Sequence, residues 1–131
     1  MTIKELSQYY MLNREIRDLE EKIRMLEARA TSITQDISGM PYSGGRSDKT
    51  AIGGIISDTR DLLLTRKIQA DFEYNRLERY ISSVSDSRIR LILTHRFVDL
   101  WSWTKIAMSI GGGNTESSVK KAVYRFLEKN P

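Results

Sequence analysis

From Tyr9 onward, apolar residues recur at Leu12, Ile16, Leu19, Ile23, Leu26, Ala30, Ile33 and Ile37, in steps that alternate between three and four. Such alternation is the spacing of a coiled-coil seam, because it keeps one apolar stripe against one partner along the whole helix. Thr2 followed by Glu5 predicts a capping box at the start, each side chain satisfying a backbone N–H that the first turn leaves open. The helix is expected to end near Gly39. Between Gly39 and Asp48 the chain concentrates Gly, Pro, Ser and Asp, which predicts an irregular loop, taken as 39–49, between two helices.

A second helical stretch is expected from Asp48 or Thr50 to about Val84. At 100° per residue, Ile52, Ile55, Ile56, Leu62, Leu63, Ala70, Tyr74, Leu77, Tyr80, Ile81 and Val84 share one side. Gly53 and Gly54 weaken its start by roughly 1 kcal/mol each relative to alanine, so its first turn is expected to fray. Leu64, Ile68 and Phe72 lie nearly opposite the main stripe at four-residue spacing, and a second apolar strip implies a second partner. Ile and Leu at the seam of the first helix suit a parallel two-stranded zipper. A glycine-rich loop and a second amphipathic helix of similar length instead favour an antiparallel hairpin within one chain. The hairpin is the preferred reading, with homodimerisation through the remaining strip.

The last third divides into three short helices. Asp86 caps a helix expected to run through Val98, with Ile89, Ile92, Leu93 and Phe97 on one face. Ser102 caps Trp103 to Ile110, with Ile106, Ala107 and Ile110 inward, and Gly111, Gly112 and Gly113 end it. Thr115 caps the final helix, whose Val119, Ala122, Val123, Phe126 and Leu127 form an inward stripe. The fold expectation is therefore all-α, with a helical hairpin scaffold over 1–84 and a helix-turn-helix module over 85–131.

Charge sharpens this division. Residues 1–84 hold 13 Lys and Arg against 13 Asp and Glu, whereas residues 85–131 hold 8 against 4, so the whole surplus of +4 falls on the C-terminal module. A basic module beside a neutral scaffold points to a polyanion partner. With Val119 and its neighbours inward, Glu116, Ser117, Lys120, Lys121, Tyr124 and Arg125 project outward. A helix that presents short polar groups and cations from its N-terminal half suits a DNA major groove. Glu116, Ser117, Lys120, Lys121 and Tyr124 are the candidates for base edges, Thr115 for the helix start, and Arg125 and Lys105 for phosphates.

The run Arg90-x-x-Leu93-x-x-Arg96-Phe97-Val98-Asp99-x-Trp101-Ser102-Trp103-x-x-Ile106-Ala107 resembles region four of bacterial sigma factors. The matching serine there opens the first helix of the DNA-binding motif. Thr115-Glu116-Ser117-Ser118-Val119 is similar to that family's cap and the start of its recognition helix. With its long helical front and Gly-Gly-Gly-Asn-Thr-Glu turn, the chain resembles phage-encoded late-transcription regulators of the RinA and ArpU kind. The turn from Ile110 to Thr115 is longer than in typical sigma factors, which bears on the angle of the recognition helix.

The resemblance implies a sequence-specific transcription regulator, without catalysis or cofactor, that binds double-stranded DNA, with RNA polymerase as a further candidate partner; the homodimer is expected from the apolar strip and the heptad. The alternatives are a small-terminase-like packaging protein and a helical adaptor that binds RNA polymerase. The first residues lack an apolar signal core, the chain has no cysteine, and no stretch has the roughly 20 apolar residues of a membrane span. Together these predict a cytoplasmic protein away from membranes. Gly39-x-x-x-x-Gly44 imitates a phosphate-binding loop, but Gly45 stands where the lysine is required and no strand precedes it. Arg46 and Lys49 are read as solvated loop cations. His95 has no cysteine companions for a metal site and is read as a helix-surface or core-edge residue. Trp101 and Trp103 bracket a helix cap and are read as core and rim of the module rather than as a nucleobase platform.

Overall fold

The computed structural model describes residues 1–37 and 44–131, with side chains described for 1–32 and 49–131. Among them every regular element is helical, so the fold is all-α as expected. Helix α1 (Ile3–Leu6) opens with the predicted capping box. The Thr2 N–H donates to the Glu5 carboxylate at 2.8 Å and the Glu5 N–H to the Thr2 hydroxyl at 3.2 Å. Ser7 separates α1 from α2 (Gln8–Ile37), yet helical bonding continues across it, from Ser7 N–H to Ile3 C=O and from Met11 N–H to Ser7 C=O.

Helix α3 (Gly44–Ser83) starts earlier than expected, so the loop anticipated over 39–49 is helical from Gly44. Its residues 39–43, and with them most of the mimic of a phosphate-binding loop, lie outside the described residues. So does the Arg46 side chain, while Lys49 is exposed on the helix. Because α3 starts at Gly44, Gly53 and Gly54 lie inside the helix rather than in its first turn.

One compact unit is Asn13–Gln69. Within it Glu15 pairs with Arg66 at 3.3 Å, Glu20 with Lys67 at 3.6 Å, and Glu27 with Arg60. From Glu15 to Glu27 the α2 numbers rise while the α3 partners fall back to Arg60, the pattern of an antiparallel pair in one chain. In this unit the predicted seam of α2 is its protected stripe as far as side chains are described: Ile23 is buried, and Ile16, Leu19, Leu26 and Ala30 are half-buried, while the side chains of Ile33 and Ile37 lie outside the described residues. On α3 the protected positions of this unit are Ile52, Ile56, Thr59, Leu63 and Arg66. The wider stripe read from sequence is corrected here, since Ile55 and Leu62 are exposed. Thr59 takes a buried place because its hydroxyl donates to the Ile55 carbonyl at 2.6 Å, which removes the cost of an unpaired polar group.

The other unit comprises Met1–Leu12 and Ala70–Pro131. Leu6 of α1, Leu77 and Ile81 near the end of α3 and Val84 just after it share one core with the C-terminal helices. The boundary placed at 84/85 by sequence therefore falls inside this unit. Arg76 donates to the Glu5 carbonyl at 2.9 Å and pairs with Glu73 at 2.6 Å, and the rings of Tyr9 and Tyr74 stand 5.9 Å apart. Tyr74, expected inward, is largely exposed.

Helix α4 (Ser87–Leu93) starts on Asp86, whose carboxylate accepts from the N–H groups of Arg88 and Ile89. From Thr94 to Val98 the helix widens. The Asp99 N–H reaches five residues back to Thr94, and the Trp101 N–H six back to His95, both at 2.9 Å. Leu100 ends the widened turn with φ of 62°, a conformation that costs a non-glycine residue roughly 1 kcal/mol or more. Helices α5 (Trp103–Ile110) and α6 (Glu116–Lys129) follow with the predicted caps and bounds.

Candidate nucleic-acid interface

The site is built on α5, the glycine turn and α6. The Ser102 hydroxyl accepts from the Lys105 N–H at 3.2 Å and fixes the first turn of α5. Ile106 and Ala107 are buried beneath it. Gly111, Gly112 and Gly113 all have positive φ, so the chain reverses where side chains would be strained. Asn114 closes the turn, its side-chain N–H donating to the Gly111 carbonyl at 2.7 Å. Thr115 and Ser118 then form a reciprocal capping box, with bonds of 2.9 and 3.2 Å.

The inward stripe of α6 is as predicted: Val119 and Val123 are fully buried, Leu127 is buried, and Ala122 and Phe126 pack beside the core. On the other side Glu116, Ser117, Lys121, Tyr124 and Arg125 are exposed, as is Lys105 on α5. One candidate stands differently from its expectation. Lys120 is half-buried at the margin of the stripe, with its ammonium 5.9 Å from the Tyr124 ring. An aliphatic stem laid along apolar surface with its charge at the edge is ordinary lysine behaviour. The Thr115 hydroxyl is engaged by the cap, so this residue sets the helix start.

Glu116 accepts from the Thr104 hydroxyl at 3.2 Å, which ties the first turns of α5 and α6 together. Arg88 reaches from α4 to the Asn114 oxygen at 2.9 Å and anchors the turn from the other side. Sequence reading missed both tethers. Thr104 carried no local signal, because its partner is 12 residues away. Arg88 carried none, because its partner is 26 residues away.

Trp101 and Trp103 belong to the core and rim of the module in the reverse of the expected order, Trp103 in the core and Trp101 at the rim. Trp103 is buried, edge-on to Phe97 and covered by the Arg96 guanidinium at 4.7 Å. Trp101 is half-buried, stacked on His95 at 4.1 Å with an interplanar angle of 1°. The Lys105 ammonium lies 4.2 Å from the Trp101 ring centre. With His95 against one face, the ammonium takes the other, which leaves no open face for a base. His95 also bonds Asp99 at 2.8 Å, in keeping with a core-edge role.

The arrangement presents an outward helix face with Lys121 and Arg125 exposed, a further exposed lysine, Lys105, on α5, and buried apolar residues behind. Such a face neutralises phosphates and offers donors to base edges. Among the described residues no group of three His, Asp or Glu side chains is placed to hold a metal ion, and no helix is long and apolar enough to cross a membrane. No protein-family model, curated protein or solved structure matches this chain.

Proposed function

We propose that this chain is a sequence-specific DNA-binding transcription regulator of the phage late-gene kind that it resembles. In this reading α5 and α6 act as the helix-turn-helix, without catalysis or cofactor, and the chain works as a cytoplasmic homodimer that also meets RNA polymerase. One observation carries it: the exposed side of α6 bears Lys121 and Arg125, while the opposite side is anchored by the fully buried Val119 and Val123. A basic face on a helix that cannot rotate is what groove recognition requires, because base contacts discriminate only when register is fixed. The exposed Leu64, Ile68 and Phe72 support self-association.

The test is retention of duplex DNA from the region flanking the protein's own gene. Binding should weaken steeply with salt, by roughly 0.9 in log–log slope for each phosphate neutralised. Loss of all duplex binding at about 50 mM salt would refute the reading. A solution mass of eight or more subunits would turn it towards DNA packaging.

A further inference from the structure

Between Trp103 and Leu127 the charged residues are Lys105, Lys120, Lys121, Arg125 and Glu116, so one carboxylate sits among four cations. Glu116 is the first residue of α6, directly after the Thr115 cap, and it is exposed. The reciprocal bonds between Thr115 and Ser118 fix its backbone. Its Oε2 accepts from the Thr104 hydroxyl at 3.2 Å, which holds the carboxylate against the first turn of α5. Its Oε1 has no hydrogen-bond partner among the described residues. A negative charge in the first turn stabilises a helix through the helix dipole. That role asks for no particular direction of the side chain, and the Thr104 tether gives it one.

We propose that Glu116 reads the amino group of a cytosine in the major groove, with Thr104 as its positioning residue. The inference rests on α6 being the helix that enters the groove, as proposed above, and names a base for it. A phosphate at this helix start would meet a like charge, so the carboxylate directs the first turn of α6 away from the backbone and towards base edges. A carboxylate only accepts, and in the major groove only the amino groups of cytosine and adenine donate. The adenine amino group lies between two acceptors, its own N7 and the O4 of the paired thymine, and both repel an approaching carboxylate. The cytosine amino group has an acceptor on one side only, the O6 of the paired guanine. Cytosine is therefore the base that Glu116 selects. The surrounding cations attract any duplex, whereas Glu116 subtracts from that attraction wherever its partner is wrong, so the acid contributes choice rather than affinity.

Selection from a randomised duplex library, followed by titration of the selected duplex and its single-pair variants, tests the assignment. The parent should require a C·G pair at one position. Glu116→Gln keeps an oxygen for Thr104 and adds an amide N–H, the donor and acceptor that suit adenine, so the preference at that position should move to A·T. Glu116→Ala should lower the preference there roughly fivefold or more and bind unrelated duplexes more tightly than the parent does. Thr104→Val should weaken the same preference while leaving affinity for unrelated duplexes and the melting temperature near the parent's. Circular dichroism of every variant accompanies the titrations. A merely structural role predicts a lower melting temperature for Glu116→Ala with base preference unchanged at every position, and that result overturns the proposal. So does a preference in Glu116→Gln identical to the parent's, and an unchanged preference in Thr104→Val overturns the positioning role. A parent that retains no duplex at about 50 mM salt refutes the regulator reading and this inference with it. A parent that selects a sequence to which Glu116 contributes nothing refutes this inference alone.

Discussion

The Arg88 guanidinium donates to the side-chain oxygen of Asn114 at 2.9 Å and so joins the first turn of α4 to the residue that precedes the cap of α6. Both ends of the Asn114 amide are used. Its oxygen accepts from Arg88 and, at 3.4 Å, from Ser118, and its nitrogen donates to the Gly111 carbonyl. Only one orientation of the amide satisfies all three, so the start of α6 is held from two directions.

Removing this hub should therefore cost more than removing one arm of it. A hydrogen bond to a charged group contributes about 1.5 to 3 kcal/mol when protected, and solvent around the exposed Arg88 lowers that, so Arg88→Ala should cost about 1 kcal/mol. Asn114→Ala removes the turn's internal bond as well and should cost roughly 1 to 3 kcal/mol. Urea midpoints measure both. If Asn114→Ala unfolds no more easily than Arg88→Ala, the hub is not what holds the turn.

Glycine replacements should change sign along the chain. Gly53 and Gly54 lie in helical α3 with nothing within 4 Å of an added methyl, so Ala at either should stabilise by roughly 0.5 to 1 kcal/mol. Gly111 has equally open space but φ of 68° and ψ of −153°, a region essentially reserved for glycine. Gly111→Ala should destabilise by roughly 1 to 3 kcal/mol through backbone strain alone. Thermal melts of the three variants give the comparison, and equal shifts would contradict the assigned turn.

What could be read from sequence follows the physics of each element. The α2 seam was legible because its apolar positions never depart from three-four spacing. The α3 stripe was drawn too wide because Ile55, Leu62 and Tyr74 are apolar yet exposed, and because Thr59 and Arg66 hold protected positions through specific partners. Residue type alone cannot announce that a polar group has found its acceptor. The caps at Asp86, Ser102 and Thr115 were legible, since a short oxygen-bearing side chain before an apolar-periodic run has one local role. The widened turn at Thr94–Val98 and the positive φ of Leu100 were not, because tertiary packing imposes them against local preference. For the candidate interface, the outward face of α6 was legible from its apolar complement, whereas the half-burial of Lys120 was not.

The first turn should respond to acid. The hydrogen bond from the Thr2 N–H holds the Glu5 carboxyl below the usual carboxylate range, with the Arg76 charge acting in the same direction. A carboxyl lowered on folding stabilises the structure above its unfolded pKa, and that contribution disappears as pH falls through the folded value. The amides of Thr2, bonded to the Glu5 carboxylate, and of Glu5 and Leu6, bonded to Thr2, should accordingly lose protection as pH drops below about 4.3, the ordinary glutamate value. Glu5→Gln should abolish this pH dependence. Exchange measured residue by residue decides it, and an unchanged profile in the variant would discard the capping box as its cause.

The sharpest demand on the regulator reading falls on Lys121. Its side chain is exposed, it follows Lys120 on α6, and Val119 and Val123 beside it are fully buried, so its direction is set by the core rather than by its own contacts. An exposed helical lysine changes stability by within about 0.5 kcal/mol, so Lys121→Ala should melt almost as the parent does. Its effect on DNA should then separate two roles. A phosphate contact predicts uniformly weaker binding to all duplexes and a salt slope smaller by about one unit. A base contact predicts a loss of roughly 1 to 3 kcal/mol on the preferred sequence alone, with relaxed choice at one base pair. Lys120→Ala should act more weakly on DNA, because that side chain is half-buried and directed along Tyr124. A Lys120→Ala, Lys121→Ala double variant that keeps its helicity, melting temperature and full DNA affinity would remove α6 as the reading face. Arg46 and Lys49 at the start of α3 would then be the cations to replace next.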